Sequence, residues 1–186
     1  MQKQQKAILY LEDGLFFKGK SLGALGETSG EVCFNTGMTG YQEILTDPSY
    51  AKQMIVMCSP HIGNYGTNES DGESSKVYAS GFIVKNEALS PSNWRSSNSL
   101  DSFLRANKVI GIQDIDTRAL TVHIRDNGAM RGIISTKDFA INSLKNKIKK
   151  VPSMEGLDLA KEVSRKKKTI LSNEKNPKYK IAAIDY

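Results

Sequence analysis

The first apolar run, AILYLE at residues 7–12, alternates little and reads as a strand. Asp13-Gly14 makes a turn after it, and LFFKGK returns as a second strand, a hairpin by its turn chemistry. SLGALGETSG is a glycine-rich connection, and EVCFNT alternates as a third strand. TGYQEILTDP predicts a helical turn or short helix stopped at Pro48, because a proline ring closes off helical propagation. KQMIVMC is a continuous apolar run, the mark of a strand buried on both faces. SPHIGNYGTN is a loop, and the polar segment 69–75 is open between a lid and a helix start.

The second half alternates. KVYASGFIVK predicts a strand in which Gly81 marks a bulge or a close backbone approach. After the loop SPSNWRSSNS, Ser99 is placed to cap a helix over LDSFLRANK, and VIGIQ is a short buried strand. DTRALTVHIRDNG is the strongest helix, with Asp116 as its N-cap, Leu120 and Ile124 on one face and Gly128 as its stop. MRGIIS is a strand, and DFAINSLKNKIKKV an amphipathic helix. Strands first, then helices alternating with strands, predict a mixed α/β domain with one antiparallel and one more parallel sheet region. The expected organisation is a domain over residues 1–150, a connector over 151–179 and, at 180–186, an apolar strand that reads as the first of a further domain.

Charge sharpens this division. The net charge is +6, but residues 143–180 hold 12 Lys/Arg against 4 Asp/Glu, so the rest is slightly acidic. No aromatics interleave with the runs KNKIKK and SRKKKT, so they read as a solvated helix face and a connector, and nucleic-acid binding is not expected. No apolar run approaches the roughly 20 residues of a membrane span. The N-terminus lacks a signal-peptide pattern, so no membrane association and a cytoplasmic location are expected. Two cysteines make no disulfide framework; Cys33 and Cys58 both lie in strand-like runs and read as small buried hydrophobes.

Candidate chemistry is sparse. There is no phosphate-binding G-x-x-x-x-G-K-[ST] loop, no G-x-S-x-G elbow and no zinc-ligand spacing. His61 is read as a structural hydrogen-bonding residue rather than a base, and His123 as an ordinary surface or interface residue of its helix. Asp116, Arg118 and Arg125 form a possible ion network on that helix, internal or toward a partner. Trp94 beside Arg95 is open between simple packing and an interface anchor. Gly37, Gly40, Gly63 and Gly66 are expected where the backbone is closed to other residues. These residues describe a stable α/β module without a complete catalytic set. Two other readings are a stand-alone enzyme using Cys33 or Cys58 with His61, and a basic nucleic-acid-binding module over 143–180.

Three stretches add a resemblance. LEDGLFFKGKSLGALGETSGEVCFNTGMTGYQEILTDPSYAKQMIVMCSPHIGNYG, then SNWR, then GIQDIDTRALTVHIRDNGAMRGII, are similar to the small, glutamine-hydrolysing subunit of carbamoyl-phosphate synthetase. The resemblance implies a layered β/β/α domain of swivelling type, with an antiparallel and a more parallel sheet. In that family an amidotransferase domain follows, opening on a strand similar to KIAAIDY and carrying the nucleophilic cysteine and its His–Glu pair. The family releases ammonia from L-glutamine and passes it to a large subunit. That subunit makes carbamoyl phosphate from it with bicarbonate and two ATP, for arginine and pyrimidine synthesis. The implied partners are therefore the large subunit and L-glutamine, with no cofactor in this chain, since ATP and Mg serve the large subunit. No catalytic residue and no metal site are expected here. The serine of DPSY, Ser49, is the one residue the resemblance assigns to the glutamine site. On composition alone Ser49 is a turn residue; a rigid Asp47-Pro48-Ser49 turn can present hydroxyl and backbone groups to an amino acid.

Overall fold

The computed structural model describes residues 5–171 and 174–184. The chain divides into two units, Met1–Met154 and Glu155–Tyr186. The strands of the first unit are β1 (Lys6–Leu11), β2 (Phe16–Gly23), β3 (Glu27–Asn35), β4 (Gln53–Met57), β5 (His61–Ile62), β6 (Gly81–Ile83), β7 (Asn86–Glu87), β8 (Ile110–Gln113) and β9 (Met130–Ser135). Its helices are α1 (Tyr41–Thr46), α2 (Leu100–Ala106), α3 (Thr117–Asn127) and α4 (Ile141–Ile148). Seven strands close into a barrel in the order β1-β2-β8-β6-β4-β3-β9, and β5 and β7 form a separate parallel pair.

The barrel has two characters. β9, β1, β2 and β8 pair antiparallel, while β3, β4, β6 and β8 pair parallel. The antiparallel pair β3–β9 closes the ring. The expected antiparallel and parallel regions are therefore both present, but their closure into one seven-stranded barrel does not fully match the expected layered, swivelling-type arrangement. One mixed sheet curls until its edges meet, which removes the unpaired edge groups that layers would leave.

Alternation explains the apolar runs. On β1, Ala7, Leu9 and Leu11 enter one core cluster with Val32, Met54, Val56, Ile83, Ile112 and Ile134, while Ile8 and Tyr10 pack with Leu144 and Ile148 of α4. On β4, Met54 and Val56 join the first cluster, while Ile55 and Met57 pack with residues of α1 and α2. Both faces of these strands are thus covered, which is why KQMIVMC carries no polar alternation. Leu120 and Ile124 of α3 complete the first cluster. Gly81 is a close approach: a Cβ there would sit 3.1 Å from Met54 Cγ and 3.2 Å from the Ile110 carbonyl oxygen.

Several boundaries differ from the sequence reading. The connection expected over residues 21–30 is mostly strand, since β2 runs to Gly23 and β3 begins at Glu27. KVYASGFIVK is strand only at Gly81–Ile83, because the Tyr78 and Ala79 amides donate instead to Leu45 at the end of α1. Residues 69–75 form turns and bends, not a helix. α4 begins at Ile141 because the Asp138 carboxylate takes the Ala140 amide in a local turn. The helix capped by Asp116 and the one capped by Ser99 form as expected, with Asp116 accepting from the Ala119 amide at 2.9 Å and Ser99 from Ser102 at 3.2 Å.

In the second unit Asp158 caps a short helix, α5 (Leu159–Val163). Residues 180–184 form no strand, and Ile181 and Ile184 are exposed; a strand needs a neighbour to take its backbone hydrogen bonds. Asp185 and Tyr186, the rest of that expected strand, lie outside the described residues. Among the described residues no helix is long and apolar enough to cross a membrane.

Candidate functional site

The crossover from β3 to β4 carries α1 and then a single 3-10 turn, Pro48–Tyr50. Pro48 ends the α-helix and starts this turn, where its missing amide costs nothing. The Asp47 carboxylate accepts the Ser49 amide at 2.8 Å. The next residue anchors the turn, for the Asn35 side-chain amide, at the end of β3, donates to the Tyr50 hydroxyl at 3.1 Å. Ser49 is exposed, and its hydroxyl makes no hydrogen bond among the described residues. The turn thus holds Ser49 in place with its hydroxyl exposed. Its backbone amide is already used by Asp47, which narrows the expectation that both groups are presented.

The start of α1 is held by an unusual device. Gly40 at the N-cap has no side chain, so the helix's unpaired amides need another acceptor. The Tyr65 hydroxyl supplies it from the loop after β5, accepting from the Gly40 amide at 2.5 Å and the Tyr41 amide at 3.3 Å. Tyr41 stacks on Tyr65 with ring centroids 4.3 Å apart, and its buried hydroxyl donates to the Gly66 carbonyl at 2.6 Å. Burial pushes both phenols above the usual tyrosine range, and the nearby Glu43 carboxylate raises them further. They are therefore fixed neutral donors and acceptors, not acid–base groups. Gln42 adds a reciprocal pair with Asn68, donating to its carbonyl at 2.6 Å and accepting its amide at 2.9 Å. The sequence reading passed over both tyrosines; their only signal was their place beside glycines in TGYQ and NYGT. Of the four glycines expected in unusual backbone, Gly40, Gly63 and Gly66 have φ of 78°, 93° and 72°, whereas Gly37 is not in the positive-φ region.

The remaining candidates are scattered. Cys33, on β3, has its thiol pushed up to about 11 by burial and by Glu31, so it stays protonated at neutral pH and is a poor nucleophile. Cys58 lies 3.4 Å from the Thr121 hydroxyl on α3. His61 is exposed on β5, pairs with Asn86 through the backbone, and its ring makes no hydrogen bond among the described residues. The structural hydrogen bond expected of that ring is therefore absent. His123 ties α3 to the first hairpin, its Nε2 2.5 Å from the Asp13 carboxylate. The network proposed for α3 does not form as a unit: Asp116 caps the helix and Arg125 pairs with Asp126 at 2.8 Å. Trp94 is 92% exposed, so it does no packing work. Among the described residues no group of three or more His, Cys, Asp or Glu side chains is placed to hold a metal ion.

Comparison with known proteins gives this geometry a context. The family profile for the carbamoyl-phosphate synthase small chain, CPSase domain, matches residues 9–134. The carbamoyl phosphate synthase small chain of Lawsonia intracellularis is 58% identical over 159 residues, covering 86% of this chain and 42% of the relative. That of Syntrophotalea carbinolica is 51% identical over 193 residues, covering 97% and 51%. That of Thermotoga maritima is 51% identical over 181 residues, covering 97% and 46%. The chain spans about half the length of the curated relatives it matches.

Proposed function

The chain belongs to the carbamoyl-phosphate synthase small-chain family, and from that premise we propose that it is a docking and substrate-positioning domain of a glutamine-dependent carbamoyl-phosphate synthase. In this reading it binds the synthase's large chain and contributes the Ser49 hydroxyl to a glutamine site whose chemical groups lie outside the described residues. The pathway products are carbamoyl phosphate, arginine and pyrimidines; ATP and Mg serve the large chain; the setting is the cytoplasm. Residues 180–186 are then the first strand of an amidotransferase domain, formed when neighbouring strands are there to pair with it.

The observation that carries this reading is the Ser49 turn. A capped and braced backbone presents one free hydroxyl in a segment, DPSY, that falls inside the matched family region. The protonated state of Cys33 speaks against a stand-alone thiol enzyme, because no activated nucleophile is formed there. Titrating this chain into the large chain of a carbamoyl-phosphate synthase by calorimetry, with glutamine hydrolysis assayed in the same samples, tests the proposal. The expected result is saturable binding with no hydrolysis by the chain alone. Hydrolysis by the purified chain, or no binding heat at micromolar concentrations, would overturn it.

A further inference from the structure

The turn that carries Ser49 fixes its own shape but not its place on the barrel. Its bonds are internal: the Ser49 amide to the Asp47 carboxylate, the Tyr50 amide to the Asp47 carbonyl at 3.1 Å and the Ala51 amide to the Pro48 carbonyl at 3.0 Å. Bonds of that kind let a turn shift as a body against the sheet. A hydroxyl that must sit at one point needs a further contact, from a rigid element outside the turn.

Asn35 supplies that contact. It is the last residue of β3, a strand bonded on both sides, to β4 and to β9. Both ends of its partly buried side chain are used: Nδ2 donates to the Tyr50 hydroxyl at 3.1 Å, and Oδ1 accepts the Gly37 amide at 2.7 Å. The Gly37 bond also sets which way the side-chain amide faces. With Oδ1 held by a backbone donor, Nδ2 is the end left for Tyr50. Gly37 is explained by the same contact, since a Cβ there would lie 2.9 Å from Asn35 Oδ1. The Asn35 carbonyl accepts the Cys58 amide at 3.0 Å, which carries the β3–β4 pairing past Met57. One residue thus joins the barrel wall, the loop that opens the β3–β4 crossover and the turn near its end. The Tyr50 ring packs against the core cluster that holds Tyr41, Leu45 and Ile55, so its hydroxyl is presented by a seated ring, one residue from Ser49.

We propose that Asn35 is the positioning residue of the glutamine contact: through the Tyr50 hydroxyl it fixes the Ser49 hydroxyl at one place relative to β3. This rests on the reading of Ser49 given above. Asn35 touches no substrate in this scheme and acts through Tyr50. The test is made in a complete small chain carrying this sequence, bound to the large chain, with glutamine hydrolysis as the readout. Tyr50→Phe removes the acceptor for Nδ2 and keeps the ring. It is expected to raise the KM for glutamine roughly 3-fold with kcat unchanged. In a Ser49→Ala background the same change is expected to add nothing, because the hydroxyl it positions is gone. Asn35→Leu removes both side-chain bonds and is expected to raise KM at least as much. Asn35→Asp can accept the Gly37 amide and the Tyr50 hydroxyl proton together, and is expected to bring KM back toward the starting value. Circular dichroism of each variant checks that the fold is kept. A KM that rises equally with and without the Ser49 hydroxyl marks a general structural effect and overturns the proposal. An unchanged KM for Tyr50→Phe, where Ser49→Ala still raises it, also overturns the proposal and leaves the Ser49 reading standing. An unchanged KM for Ser49→Ala removes both.

Discussion

The two halves of the barrel are built by different connections. In the antiparallel half, β1 and β2 are joined by a tight turn in which the Leu11 amide donates to the Leu15 carbonyl at 2.9 Å. The ion pairs on this side tie the first hairpin to β9 and to α3, and one from α4 reaches β3 of the parallel half. Arg131 pairs with Glu12 at 2.6 Å, His123 with Asp13 at 2.5 Å, and Lys147 bridges Glu27 at 2.6 Å and Asp138 at 2.8 Å. In the parallel half, each strand must be re-entered from the same end, so the chain travels back along the barrel between β3 and β4, β4 and β6, and β6 and β8. Those three crossovers carry Ser49, Tyr65 and Trp94 in turn. The difference teaches why one half is scaffold and the other carries the candidate positions: parallel pairing obliges the fold to build long surface segments, and a segment braced on a rigid sheet is where binding residues can be placed.

Three substitutions sharpen or break this contrast. The largest expected effect is on stability alone. Leu9 is fully buried in the core cluster from the antiparallel side, so Leu9→Ala is expected to lower unfolding free energy by about 2–5 kcal/mol in urea titrations while leaving the affinity for the large chain unchanged under native conditions. An affinity that falls together with stability would show that the halves are not separable. An intermediate effect belongs to the brace between crossovers. Tyr41→Phe strips the donor from the buried Gly66 carbonyl but keeps the stack on Tyr65, and should cost about 1–2 kcal/mol in the same titration. It should also loosen the loops that hold Trp94, seen as faster amide exchange at Thr67 and Asn98. The smallest stability effect is at Ser49. Ser49→Ala should change stability by less than about 0.5 kcal/mol, because the hydroxyl makes no hydrogen bond among the described residues. Placed in a complete small chain, the same change should raise the KM for glutamine roughly 3- to 10-fold, the worth of one hydrogen bond to the ligand. An unaltered KM would reduce Ser49 to a turn residue.

Much of this molecule is local, and that part was legible in the sequence. Asp116 and Ser99 cap helices because a short polar side chain reaches an amide two or three residues ahead, whatever the rest of the chain does. Pro48 ends α1, and Asp13-Gly14 turns the first hairpin, for similarly local reasons. The DPSY turn is local too, since Asp47 reaches only as far as Ser49. Closure of the sheet into a barrel was beyond such reasoning, because it depends on β3 meeting β9 at the far end of the domain, Glu27 opposite Ser135 and Val32 opposite Met130, and the periodicity of a strand says which faces are buried but not which edges meet. The same distance hid the capping of α1 by Tyr65, since a hydroxyl 24 and 25 residues away leaves no pattern at the helix it serves. It also left Trp94 undecided between packing and display. Apolar character is a property of the residue, but exposure is set by where the Thr67–Asn98 and Asp71–Arg95 contacts hold its loop, and only the assembled tertiary structure supplies those.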